Sequence, residues 1–299
     1  MENIVEVKEY DYTSRQRTIN ELCSEYAFIK RSVIGKSCSG KDITALKIGS
    51  AAQYCLLAAA FHGSERITSN IVLMFIERLC RAIKNEDYIA GLKMPRALRG
   101  RGVIFVPCVN PDGCDISLLG QNSGIISDEI RKIAKGDFSN WNSNLRGVDI
   151  NHNFDAGWDE LRQREREMGI YGPSKTRYGG LRPHSEPETV CLTELCLKTQ
   201  IRHVMALHSQ GEVIYWSYGA KQPYRSRKMA EIMATSSGYA LDVPIGIASG
   251  GGFKDWFINE FNRPGFTVEL GYGKNPLPIT DAPFIYKRIE EMLTLYIIM

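Results

Sequence analysis

Tyr54-Cys55-Leu56-Leu57-Ala58-Ala59-Ala60-Phe61 is an unbroken apolar run, and His62-Gly63-Ser64-Glu65 follows it without a spacer. A run this short falls far below the roughly 20 residues that a membrane-crossing helix needs. It fits a strand buried on both faces, and such strands belong to parallel sheets covered by helices. The polar tetrapeptide then lies at the strand's carboxyl end, where open sheets of this class gather their ligands.

The pattern repeats on both sides. Ile67–Ile83 has helical periodicity that Thr68 or Ser69 could cap. Gly102–Val109 is a second buried strand, ending in the turn Asn110-Pro111-Asp112-Gly113. Ser185-Glu186-Pro187-Glu188 reads as a capping box that opens a helix to about Lys198. His203–Leu207 and Phe266–Leu270 are further strands, and Asp281–Ile298 is a closing amphipathic helix. Ahead of them, Tyr12–Tyr26 suggests a helix and Arg31–Ile48 a strand pair turning at Ser39-Gly40. Strands alternating with helices predict an α/β fold: a mixed, mostly parallel sheet with helices on both faces. No repeat or linker divides the chain, so residues 1–299 are expected to form a single domain, with residues 1–50 integral to it.

Bulk properties narrow the function. The chain has 299 residues, 43% hydrophobic and 24% charged, enough to bury a sizeable core without staples. A net charge of +3 with both signs interspersed points to neither nucleic acid nor an anionic membrane. Met1–Tyr10 lacks the apolar core of a secretory signal. The eight cysteines form no CxxC pair, so reduced thiols in a cytoplasmic protein are the expectation. Cys55, Cys80 and Cys108 sit in strongly apolar segments and read as small hydrophobes.

With only five histidines, each can be weighed. His62 and Glu65, three residues apart in a tight turn, can face one point. His208 follows the apolar run Val204-Met205-Ala206-Leu207 and could supply a third ligand. Two imidazoles and one carboxylate with an open fourth position make a catalytic zinc set. Glu269, embedded in Phe266-Thr267-Val268-Glu269-Leu270, is a candidate general base beside such a metal. On these residues alone, bland readings stay open. The His-x-x-Glu spacing arises by chance, His208 could be a satisfied strand-end residue, and Glu269 could pair with a buried arginine.

From about Tyr10 onward the chain resembles the zinc carboxypeptidase family. The resemblance rests on His62/Glu65, Asn110-Pro-Asp-Gly, Arg146-Gly-Val-Asp149-Ile-Asn151, His208-Ser-Gln, Ala248-Ser-Gly-Gly and Phe266-Thr-Val-Glu269, in that order. More narrowly, it is similar to the bacterial γ-D-glutamyl-diaminopimelate peptidases. His208-Ser-Gln-Gly-Glu-Val-Ile-Tyr-Trp216, Phe253-Lys-Asp-Trp-Phe257 and Gly273-Lys-Asn-Pro-Leu-Pro278 carry that likeness.

The resemblance implies one zinc held by His62, Glu65 and His208, with Glu269 as base. It implies Arg146 beside the developing oxyanion, against the alternative of a surface arginine before a turn, Asn151 at a substrate carboxylate, and a short peptide, such as a cell-wall muropeptide, as substrate. Where the family has Asn-Arg-Asn, this chain has Asn151-His152-Asn153. Histidine cannot supply arginine's bidentate fork, so His152 either contributes one hydrogen bond or packs. Lys254 could meet a substrate carboxylate, or be an exposed helix residue. The family's mobile tyrosine is also missing, since Gly246 occupies its place. The competing readings are an ordinary metallocarboxypeptidase, a zinc amidohydrolase acting on acylated amino acids, and a non-catalytic peptide-binding relative.

Overall fold

The computed structural model describes residues 3–244 and 246–299. Its strands are β1 Lys30–Lys36, β2 Asp42–Gly49, β3 Tyr54–Ala59, β4 Tyr88–Ile89, β5 Leu92–Lys93, β6 Gly102–Val106, β7 Ile201–His208, β8 Val213–Tyr215, β9 Ala240–Asp242 and β10 Gly265–Glu269. Eight of them form one sheet in the order β1-β2-β6-β3-β7-β10-β8-β9, while β4 and β5 make a separate small hairpin. The centre, β6-β3-β7-β10, is parallel throughout. Antiparallel pairing enters where β1 meets β2, β2 meets β6, and β10 meets β8.

Alternating side chains explain why the centre needs cover on both faces. Every residue of β3 is buried. Cys55, Leu57 and Ala59 join one core, with Ile19 and Leu22 of the helix Tyr12–Glu25, the helix Ile67–Lys84, and Ile289, Leu293 and Ile297 of the helix Ala282–Ile298. Tyr54, Leu56 and Ala58 face the opposite core, against Leu192 of the helix Pro187–Lys198 and Phe253 and Phe257 of the helix Phe253–Phe261. Burying each of Leu56 and Leu57 contributes roughly 1.5–3 kcal/mol, so β3 is anchored independently from two sides. Among the described residues, no helix is long and apolar enough to cross a membrane.

Three local expectations change. The helix Ile67–Lys84 has Arg66 at its N-cap, with no side-chain cap. Thr68 is instead used internally: its hydroxyl donates to Glu65 O at 2.8 Å and accepts from Ala60 N at 2.9 Å. Asn110-Pro111-Asp112-Gly113 is not a free turn but the start of the helix Pro111–Leu119. Asn110 caps that helix by accepting from Gly113 N, and Pro111 fills the position where no N–H is needed. Glu186, not Ser185, is the N-cap of the helix ending at Lys198, and it makes no side-chain cap.

Candidate metal centre

β3 ends at Ala59, and the chain turns sharply through Ala60, whose φ is +52°. Phe61 then packs its ring on that of His208, with centroids 5.1 Å apart. Gly63 must be glycine here for reasons of space. A Cβ would lie 2.2 Å from Gly113 O and 2.4 Å from Trp141 O, so the backbone of this loop is pressed against its neighbours. Asn110 holds the loop from behind, its Nδ2 donating to Phe61 O at 3.0 Å.

Three distant pieces of chain converge at this point. His62 Nδ1 lies 2.9 Å from Glu65 Oε1. His208 Nδ1 lies 3.0 Å from Glu65 Oε2 and 3.3 Å from His62 Nδ1. Ligands about 2.0–2.1 Å from a tetrahedral zinc stand roughly 3.3 Å from one another, so the three groups have the spacing and the donor chemistry for that ion. The other nitrogen of His62, Nε2, lies 2.9 Å from Asp149 Oδ1, a carboxylate behind the ring of the kind that orients metal-binding histidines. Asp149 Oδ2 is fixed in turn by Arg177 N at 2.8 Å.

The electrostatics are those of a crowded ionic site. Burial works against a charge on His62, but the Glu65 and Asp149 carboxylates outweigh it and raise the imidazole well above its ordinary value. Burial likewise opposes the Glu65 anion, yet His62 and His208 pull it down to about 2. Asp149 is depressed further, again against burial and chiefly by His62. Such mutual stabilisation lets three buried ionisable groups share one small space.

Glu269 closes the fourth side. β7 and β10 run parallel with Glu269 directly opposite His208, so both side chains leave the same face of the sheet. Glu269 makes no ion pair among the described residues, which removes the reading of a buried salt-bridge partner. Burial and, next, the Glu65 charge push its carboxyl up to about 8, with His62 opposing.

These groups open onto a cavity of about 180 Å³. Asn151 and His152 line it, on the turn after Asp149. Asn151 Oδ1 accepts from Phe253 N at 3.0 Å, which leaves its Nδ2 without a partner among the described residues. His152 Nδ1 is held at 2.8 Å from Glu165 Oε1 and 3.2 Å from Arg177 O. Burial lowers the His152 ring below its ordinary value despite the nearby Asp149.

One expectation needs correction, and one of two open alternatives falls away. Arg146 does not reach this cavity: its side chain is 58% exposed, with Nη1 3.7 Å from Glu186 Oε2, and it lines a separate cavity with Tyr178 and Arg182. Lys254 is not an exposed helix residue. It is 4% exposed and lines the metal cavity beside Asp255, with which it forms an ion pair. Its Nζ also donates to Ser217 O at 2.6 Å. Tyr215, Thr267 and Asp255 also line the cavity, and the sequence had singled out none of them. For Asp149 a signal existed, since it is an acid inside the motif that ends at Asn151.

The sequence profile of the zinc carboxypeptidases matches residues 16–294. A γ-D-glutamyl-L-diamino acid endopeptidase of Lysinibacillus sphaericus is 35% identical over 282 residues, which make up 93% of this chain and 69% of that protein. Among solved structures, thrombin-activatable fibrinolysis inhibitor superposes with a TM-score of 0.75 at 17% identity, over 99% of this chain and 77% of its own. The murein-tripeptide amidase of Escherichia coli O157 gives 0.54 at 21% identity, over 88% and 91%. At these identities the two structures speak for the fold alone.

Proposed function

Because the chain belongs to the zinc carboxypeptidase family and is a zinc-dependent peptidase, we propose that it cleaves the γ-D-glutamyl bond before a diaminopimelate-like residue in cell-wall peptides. In this reading His62, Glu65 and His208 hold the ion, Glu269 is the base, and Asn151, His152 and Lys254 meet the substrate.

The observation that carries the specificity is the pairing of Lys254 with Asp255 in the cavity wall, both almost fully buried. Diaminopimelate ends in an ammonium and a carboxylate on one carbon. A cavity wall bearing one buried cation and one buried anion complements that group and gives nothing to an apolar side chain. His152 fits the same reading. With Nδ1–H donating to Glu165 and burial lowering the ring's proton affinity, it presents Nε2 as a single acceptor, suited to a substrate N–H or ammonium, where a strict carboxypeptidase would fork a terminal carboxylate. The relative from Lysinibacillus sphaericus bears the name of an endopeptidase for this type of bond.

When bound, zinc acts as a Lewis acid that polarises the scissile carbonyl and acidifies water. The chain's own groups do the rest. Glu269 Oε takes the proton of the attacking water and then delivers it to the leaving amine. Asp149 holds the His62 ring so that Nδ1, not Nε2, faces the site. Asn151 Nδ2 is positioned to donate to a substrate carboxylate, and Lys254 and Asp255 orient the diamino-acid end.

The decisive assay compares γ-D-glutamyl-diaminopimelate tripeptide with an unmodified C-terminal peptide on zinc-loaded protein. Preference for the tripeptide by kcat/KM is expected. Cleavage of the unmodified peptide alone would reject the specificity while leaving the peptidase assignment intact.

A further inference from the structure

Asn151 and His152 are consecutive on the turn after Asp149, both line the metal cavity, and their free atoms differ in kind. Asn151 Oδ1 is used, accepting from Phe253 N at 3.0 Å. Nδ2 is left without a partner among the described residues, and an amide nitrogen can only donate. His152 presents the opposite. Its Nδ1 has two neighbours, Glu165 Oε1 at 2.8 Å and Arg177 O at 3.2 Å. A carboxylate and a carbonyl oxygen only accept, so the hydrogen of the ring sits on Nδ1.

Nothing here calls for a second ring proton. Glu165 is fully buried, but its charge is already answered by an ion pair with Arg162, and it also accepts from Gly179 N at 3.1 Å. Arg162 in turn lies over the Tyr178 ring, 4.6 Å from its centroid. Burial lowers the proton affinity of His152 below the ordinary imidazole value. A neutral ring protonated at Nδ1 carries a bare lone pair at Nε2, and Nε2 has no partner among the described residues.

One donor beside one acceptor is the complement of an amide. Its C=O accepts from Asn151 Nδ2 and its N–H donates to His152 Nε2. A carboxylate has acceptors only, so an oxygen facing Nε2 would meet lone pair with lone pair and leave both unsatisfied. An arginine in place of His152 would offer donors only, which is the complement of a carboxylate. Lys254, a cation of the same wall, is engaged by Asp255 and by Ser217 O.

We propose that Asn151 and His152 read an amide at the main-chain carboxyl of the diamino acid, carried either by a further residue or by an amidated carboxyl, and that they disfavour a free carboxylate there. This rests on the γ-D-glutamyl reading and sharpens it: the bond is cut in a peptide that does not end in a charged diamino acid.

The test uses the zinc-loaded full chain and four substrates that share L-Ala-γ-D-Glu-diaminopimelate. They differ only at the main-chain carboxyl of the diamino acid, which is a free carboxylate, a carboxamide, a methyl ester or a peptide bond to D-alanine. For the carboxamide, kcat/KM should exceed that of the carboxylate roughly tenfold or more, mostly through KM. The ester keeps the carbonyl but lacks the N–H, and should fall several-fold below the carboxamide. Cleavage of the D-alanyl peptide at the carboxamide's rate assigns the amide to a continuing chain, and its exclusion assigns it to an amidated end. His152→Arg should reverse the order of carboxamide and carboxylate, and His152→Leu should bring carboxamide and ester together. If these variants fail to fold, the ester comparison on wild type reads the same hydrogen bond. A wild type that cuts the carboxylate as well as the carboxamide, or the ester as well as the carboxamide, would overturn the proposal. Failure of the bond assignment looks different. All four substrates then stay uncut while ordinary peptides are hydrolysed, and the carboxylate and carboxamide forms of those peptides carry the same comparison.

Discussion

His62 Nε2 stands 2.9 Å from Asp149 Oδ1, while Nδ1 of the same ring lies 2.9 Å from Glu65 and 3.3 Å from His208 Nδ1. The acid thereby fixes which nitrogen faces the proposed metal position. Asp149→Asn keeps the shape but loses the charge, and zinc affinity should fall roughly 10- to 100-fold. Competition against a chromophoric chelator measures it. Unchanged affinity would leave Asp149 with only its loop-holding bonds to Asn151 N and Arg177 N.

Glu269→Gln removes the proposed base and nothing that holds the ion. Turnover should drop roughly 10²- to 10⁴-fold, with zinc still bound one per chain by elemental analysis. Equal turnover by variant and wild type rejects Glu269 as the base.

The same carboxyl makes the metal-free protein sensitive to pH. Its folded value is pushed up to about 8, chiefly by burial, from an ordinary 4.5. Between those limits the folded state holds a proton that the unfolded chain has released. Stability from neutral Glu269 is therefore complete below the ordinary value and is lost as pH rises toward 8. Melting temperatures of metal-free protein between about pH 5 and 8 should fall more steeply for wild type than for Glu269→Gln. His62, also raised, contributes a loss of the same sign to both proteins, so the difference between them reports Glu269 together with its coupling to His62. Added zinc favours the anion and should flatten the wild-type slope. Parallel slopes for the two metal-free proteins would contradict the assigned shift.

Lys254→Gln leaves Asp255 buried without its cation. Stability should fall by about 2–5 kcal/mol, read from denaturant unfolding. KM for the diaminopimelate peptide should rise roughly tenfold or more, from loss of one charged contact, with a smaller change in kcat. A variant that instead loses kcat at constant KM would move Lys254 from recognition to chemistry.

Much of this site was legible in the sequence because each key residue ends an apolar run. His62, His208 and Glu269 follow or close β3, β7 and β10, and strand ends at one edge of a parallel sheet must be neighbours. What escaped depends on contacts remote in sequence. Asp149 meets His62 across 87 residues, and nothing local marks that partnership. For Lys254 the sequence leaves both substrate contact and exposure open, because lysine is usually solvated, whereas the fold buries it against Ser217 and Asp255. Arg146 lies five positions before Asn151, yet its side chain turns into another cavity beside Glu186. Asn110-Pro111 carried helix-start chemistry that was read as a turn, since both begin with the same residues.

The side-by-side register of Glu269 and His208 on parallel strands has a mechanical consequence. The proposed proton acceptor and the proposed ligand are bolted to one stiff slab, so bringing these two side chains together requires no hinge. The same rigidity makes the arrangement intolerant of length. A single residue inserted within Gly265–Glu269 would swing the carboxylate through to the far face of the sheet, leaving an intact metal pocket with nothing to receive a proton.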